Sequence, residues 1–442
     1  MSLTAAREAI RRGHRAREAG LAEDALRWFR TAAEQAPSDA EAQGLLGLML
    51  LRMGRLAESA APLERAVQLA PDELAPRMHL SELRAREGDL PRALVLASQA
   101  AANHSSDWWP QEREGELRAA AGDFAAAREC FRRACALRPG DPSLLYKFAR
   151  AAFDCGDIDT SQDALASASR LAPGQPAILA LQAEILLRRA DWEALERHAS
   201  GWLLRMPQEP VALRHLARSQ WERGFMKAGI SSLEAALRAQ VDSRSRAWPR
   251  PEDGHDAETL ATLARLHLAV LDYEAAGRAL AESEAIDPLC THMLSTRAIL
   301  AMYQGDFALA EQSARRSLAI DPRDAAAWKV LVQLRGGRVD TADAASIARL
   351  EADDSVPQRD RATLAYALGD CLDAQGETDA AFAAWSRANA RSAELARAEG
   401  LRYDAPARER EVDAIIRRFP AAAAADDAAH APAVPVFIVG LP

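Results

Sequence analysis

GLAEDALRWFRTAAEQAP fills residues 20–37, and GRLAESAAPLERAVQLAP fills 54–71, 34 positions later. A third copy, GDFAAARECFRRACALRP, fills 122–139. Each opens on glycine, carries one large apolar residue (Phe29, Leu63, Phe131), then an alanine (Ala32, Ala66, Ala134), and closes on proline. Beyond these copies, Pro37, Pro71, Pro139, Pro173 and Pro207 stand 34 or 68 residues apart. Gly20, Gly54, Gly88, Gly122 and Gly156 keep the same interval, and Gly224 falls 68 further on. With 23 glycines in 442 residues, this alignment is not a product of chance. A fixed period of this length is the mark of a repeat architecture.

The spacing has a physical reading. A helix runs up to each glycine, which takes the positive φ that ends it cheaply. A second helix then runs to the proline, which cannot continue it but can open the next. Small residues in the first helix (Gly13, Gly47, Gly115) let the two helices approach, and Phe29, Leu63 or Phe131 fills the gap. This pattern resembles the tetratricopeptide repeat, a 34-residue helix–turn–helix unit. Repeats begin near residues 6, 40, 74, 108, 142, 176 and 210. Two are degenerate, with Ser105 in place of the closing proline and Ala190 in place of the turn glycine.

The interval from Pro207 to Pro288 is 81 residues, two periods plus 13, and the surplus lies in the Pro/Ser/Arg stretch 241–255. Phase returns with Pro288, Gly305, Ala310 and Pro322. A looser pair led by Trp328 follows, then a clear unit with Gly369, Gly376, Ala381, Trp385 and Ala388. The expected organisation is a first array over 1–240, an insertion over 241–256 and a second array over 257–400. A connecting helix over 401–420 and an Ala/Pro linker over 421–435 follow. The fold class is all-α, a right-handed superhelix of about eleven helical pairs.

Composition agrees: 49% hydrophobic but 5% aromatic, with 27% charged, suits amphipathic helices. A net charge of −9 argues against a general nucleic-acid binder. No apolar run reaches the ~18–20 residues of a membrane span, and Met1–Glu8 shows no secretory h-region, so a cytoplasmic protein is expected. The five cysteines are scattered, with no Cys-x-x-Cys, and read as reduced structural thiols. No nucleophile–base set and no His-Glu-x-x-His spacing occurs. The repeats therefore show no catalytic chemistry and no metal site, and no cofactor is expected for this chain.

A stack of repeats offers one face lined by the first helix of each pair. Helical offset places Glu82, Glu112 and Glu116 there, beside Tyr146, Lys147, Arg150, Arg214, His215, Arg218 and Trp221. Arg with Trp or Tyr is the usual make-up of a binding hot spot, and the basic set suits an acidic peptide. The alternative is a solvated helical face with ordinary salt bridges. Trp108-Trp109 reads either as an exposed anchor or as a plug at the start of a helix.

The last residues break the pattern. Val436-Phe-Ile-Val439 is a short apolar run suited to a buried strand, and Gly440, Leu441 and Pro442 open a turn after it. A strand alone is not stable, so the expectation is an orphan strand from an α/β domain missing from this chain. Strand-to-glycine turns often begin phosphate-binding loops, of the sulfotransferase or the Walker type. Residues 381–389, Tyr403-Asp404, 412–416 and 435–442 resemble bacterial tetratricopeptide-repeat sulfotransferases. That resemblance implies a parent enzyme using 3′-phosphoadenosine-5′-phosphosulfate (PAPS), its donor loop starting at Gly440, Leu441 and Pro442. The repeats would then recruit a protein or peptide carrying the acceptor. The alternatives are the sensor arm of a P-loop nucleotide-binding protein and a stand-alone scaffold.

Overall fold

The computed structural model describes residues 3–244, 254–398 and 405–418. Every element among them is helical, and successive helices form ten packed pairs; the looser pair expected around Trp328 does not close, since the helices over 325–334 and 341–352 each pack on the helix over 358–374 instead of on each other. The expected strand at 436–439, the turn Gly440–Pro442 and the linker 421–435 lie outside the described residues, as do 245–253 of the insertion.

The chain divides into two compact units, Met1–Pro288 and Leu289–Pro442. Unit 1 begins with α1 (Leu3–Glu18) and α2 (Ala22–Gln35), then α3 (Ala40–Arg52) and α4 (Leu56–Leu69). Next come α5 (Leu74–Arg86) with α6 (Leu90–Asn103), and α7 (Trp108–Ala120) with α8 (Phe124–Leu137). The pairs α9 (Pro142–Asp154) and α10 (Ile158–Leu171), then α11 (Pro176–Arg188) and α12 (Trp192–Arg205), follow. It closes with α13 (Pro210–Glu222), α14 (Met226–Arg244), α15 (Gly254–Ala269) and α16 (Tyr273–Ile286). Unit 2 holds α17 (Thr291–Gln304), α18 (Phe307–Ile320), α19 (Ala325–Leu334), α20 (Thr341–Ala352), α21 (Gln358–Ala374), α22 (Thr378–Ala398) and α23 (Ala405–Arg418).

The glycine reading holds atom by atom. Gly20, Gly54, Gly88, Gly122, Gly156 and Gly224 all take positive φ, between 75° and 86°. Their neighbours in the first helices serve close approach instead. A Cβ added at Gly47 would stand 2.5 Å from Cγ of Leu63, and one at Gly115 would stand 2.8 Å from the ring of Phe131. Gly13 against Phe29 and Gly369 against Trp385 repeat the arrangement, the partners always sixteen positions apart. The lock is therefore formed inside one repeat, first helix against second.

A second period marks the helix starts. Asp89, Asp123, Asp157 and Asp191, each 34 apart, accept from the backbone N–H three residues on. Asp272, Asp306 and Asp340 do the same in a later phase. A carboxylate cap satisfies an otherwise orphan donor and suits the positive end of the helix.

Where the turn glycine is lost, the backbone keeps its shape. Ala190 has φ 53° and Leu271 has φ 63°, a region that costs an L-residue about 1–2 kcal/mol. Glycine there relieves that cost but adds freedom to the unfolded chain. Ala190→Gly and Leu271→Gly are each expected to stabilise the protein by about 0.5–1 kcal/mol. A thermal melt checks this, and a lowered Tm would refute it.

Candidate functional site

Lateral packing in unit 1 sets α3 against α5, α5 against α7, α9 against α11 and α11 against α13. The first helices thus share a layer, and the residues expected to line it divide into two groups.

The first group, on α9, is occupied by its own protein. Lys147 Nζ donates to Glu112 at 2.7 Å and to Glu116 at 2.5 Å, both on α7. Arg150 donates to Glu184 of α11 at 2.8 Å and to Asp154 at 3.2 Å. The acidic and basic stretches that read as neighbours are therefore ion pairs across successive repeats. Burial works against the Lys147 charge, but the two glutamates outweigh it and hold its pKa above the ordinary value. Arg150 also lies 5.5 Å from the Phe153 ring centroid, whose other cation is Arg188 at 4.6 Å. Tyr146 is half-buried, and burial raises its phenol pKa. Glu82 is paired with Arg86 one turn along α5.

The second group, on α13, meets around one cavity. Arg214, His215, Arg218 and Trp221 line a pocket of about 210 Å³ with Leu187 of α11, Leu233 of α14 and Glu258, Thr262 and Leu266 of α15. Arg218 lies over the Trp221 ring at 5.0 Å and faces Trp192 at 6.0 Å, while pairing with Glu222 at 2.8 Å. Nη1 of Arg214 is buried with no hydrogen-bond partner. Burial lowers the Arg214 pKa, opposed by Glu209 and Glu258, although a guanidinium stays charged. His215 is pushed down to about 4 by burial, with Arg214 and His198 adding to it. It is therefore neutral near pH 7. Sequence offsets found the α13 residues, but Glu258 and Thr262 of the far wall enter only through the stacking of α15.

Trp108 and Trp109 are half-buried. Arg138 sits over Trp108 at 4.6 Å, and Trp109 packs 5.8 Å from His79, so the pair plugs the start of α7. The five cysteines are free thiols, and burial raises Cys130, Cys135 and Cys371 to about 11. Among the described residues no helix is long and apolar enough to cross a membrane.

Comparison with known families matches residues 10–73 and residues 118–185 to the tetratricopeptide repeat. These stretches are tetratricopeptide repeats. The two matched segments carry the glycine–proline ruler quoted at the outset, and the helical pairs of both units have the repeat's form. Comparison by sequence with curated proteins returns no match. Among solved structures, the chain is similar to one described as the APC/C hetero-tetramer Cut9-Hcn1, with 15% identity and a TM-score of 0.48. That match covers 71% of this chain and 62% of the other. Yeast Tom70 matches with 12% identity and a TM-score of 0.45, over 94% of this chain and 97% of the other. A thermophilic tetratricopeptide-repeat protein of Thermus thermophilus matches with 24% identity and a TM-score of 0.34, over 41% and 100%.

Proposed function

We propose that this tetratricopeptide-repeat protein binds a protein partner, and that Arg214, Arg218 and Trp221 hold an acidic segment of it. The observation that carries this reading is the pocket itself, lined by Arg214, Arg218 and Trp221 of one helix with Arg218 lying over the Trp221 ring at 5.0 Å. A carboxylate entering it would meet a guanidinium in a charge-assisted bond. Trp221 and the guanidinium above it offer an apolar face and a cation together, the composition of interface hot spots. On α9, by contrast, Lys147 and Arg150 are committed to Glu112, Glu116 and Glu184, so they serve the stacking of repeats.

The test is fluorescence anisotropy with a labelled, end-blocked peptide, Gly-Ala-Glu-Leu-Glu-Ala-Gly. Trp221→Ala is expected to weaken binding at the α13 pocket about tenfold or more. Thr262→Tyr, which fills the pocket from α15, should do the same without touching the cation. Unchanged affinity in both variants would sink the reading.

The finer reading makes the repeats the recruiting arm of a PAPS-dependent sulfotransferase. It rests on the resemblance of 381–389, 403–404, 412–416 and 435–442. Gly440, Leu441 and Pro442, which would open the donor loop, lie outside the described residues, and no step of transfer is assigned to this chain. Reading the coding frame past codon 442 tests it. Arg-Ser-Gly-Thr-Thr would support the sulfotransferase, and Gly-Ser-Gly-Lys-Ser would replace it with a nucleotide-binding parent.

A further inference from the structure

Unit 2 contains a trough that the repeat pattern does not foretell. Most second helices of the chain run for 14 residues, whereas α22 runs for 21. The added turns stand beside the start of α21, where Gln358 Nε2 donates to Glu394 at 2.7 Å. Just before these turns α22 is pinned from α20 by Glu351, which accepts from Arg387 at 3.3 Å and from Arg391. Ser392, Leu395 and Ala396 of this overrun then wall a cavity of about 570 Å³. Its floor is one face of α21, from Arg359 through Thr363 and Tyr366 to Asp370, and its other wall is Lys329 and Gln333 of α19.

The lining is preset for polar recognition. Tyr366 donates its hydroxyl to Asn389 at 2.5 Å, leaving its oxygen free to accept. Asp370 is held by Trp385 Nε1 at 3.1 Å. The chain has three lysines. Lys147 is doubly paired, but Lys329 is exposed and makes no ion pair, and Gln333 and Ser392 make no side-chain hydrogen bond among the described residues. A helical wall has spent its backbone donors and acceptors internally. An extended peptide laid on it must therefore find side-chain amides and hydroxyls for its own backbone. Gln333, Thr363, Tyr366 and Ser392 supply these, Lys329 and Arg359 supply positive charge, and Leu395 with Ala362 supplies an apolar wall. The span from Arg359 to Asp370 along α21, about 16 Å at 1.5 Å per residue, matches an extended segment of about five residues. The volume falls within the usual range of ligand sites.

We propose that this trough is a second, independent binding site, which takes an extended peptide segment with an acidic side chain set against Lys329. It does not depend on the α13 pocket.

The experiment uses the full chain carrying Trp221→Ala and Thr262→Tyr together, so that the α13 pocket is both stripped of its ring and filled. The probe is the labelled peptide Gly-Ala-Glu-Leu-Ala-Gly with blocked ends, read by anisotropy. Its Glu-to-Gln counterpart is the control. The expected result is saturable binding, weakened tenfold or more by Lys329→Glu at the surface, by Ser392→Trp across the trough, and by the Gln peptide. Lys329 is exposed, so the circular dichroism of Lys329→Glu should match the parent's. Absence of binding at 1 mM peptide (order of magnitude for a weak site) would overturn the proposal. So would equal affinity of the parent and both variants.

Discussion

Glu351→Ala is expected to destabilise unit 2 by about 3 kcal/mol, near the lower limit for breaking a buried ion pair. The side chain is 7% exposed and its partner Arg391 is 17% exposed, so alanine would leave a largely desolvated guanidinium uncompensated. Arg387 is 46% exposed and recovers its loss in water, which keeps the figure low. Glu351→Gln separates charge from shape. Burial alone would raise the Glu351 pKa, but hydrogen bonds from Arg391 and Arg387, with their charges, outweigh it and leave the pKa below its ordinary 4.5. A depressed carboxyl stabilises the fold above its unfolded pKa and loses that contribution as pH falls through the folded value. Urea midpoints of the parent should therefore drop below about pH 4.5 by more than those of Glu351→Gln. Parallel pH profiles would show that the ion cluster does not act as described.

The second large effect lies in unit 1. Leu63→Ala is expected to cost about 3 kcal/mol, since Leu63 is fully buried and truncation leaves a cavity. Gly47→Val is expected to cost about 2 kcal/mol by overpacking, since even a Cβ there would stand 2.5 Å from Cγ and 3.2 Å from the backbone nitrogen of Leu63. The better helix propensity of a non-glycine residue offsets less than about 1 kcal/mol of this. If the two positions share one volume, the double variant should be more stable than the sum of the single losses predicts. A coupling of about 1 kcal/mol or more is expected in denaturant titrations. Strict additivity would mean that the small–large pairing is coincidental.

Much of this was legible because repeats write the same local constraint many times. The turn glycines and the small–large pairs were each readable from spacing alone. What spacing could not supply was the angle between successive repeats. Lys147, Glu112 and Glu116 read as adjoining patches of opposite charge, yet they meet as pairs, because α9 is laid against α7 in a register that no 34-residue period specifies. The aspartate caps at 89, 123, 157 and 191 stand on the same interval, but that ruler was read only in glycine and proline. The trough of unit 2 was hidden for a different reason. Its walls come from three helices, and only packing brings Lys329 and Ser392 to one cavity.

The division of labour between glycine locks and ion pairs has a mechanical corollary. The steric lock joins the two helices of one repeat, whereas Lys147 and Arg150 rivet one repeat to the next through charges that water can replace. Under tension along the chain, rivets of this kind should yield before the locks, and a repeat detached from its neighbour should then unravel as its own lock gives. Unit 1 would extend in a staircase, each unravelled repeat releasing about 12 nm of contour for a 34-residue period at roughly 3.5 Å per residue. Raising the salt should lower the force of each step without altering its length.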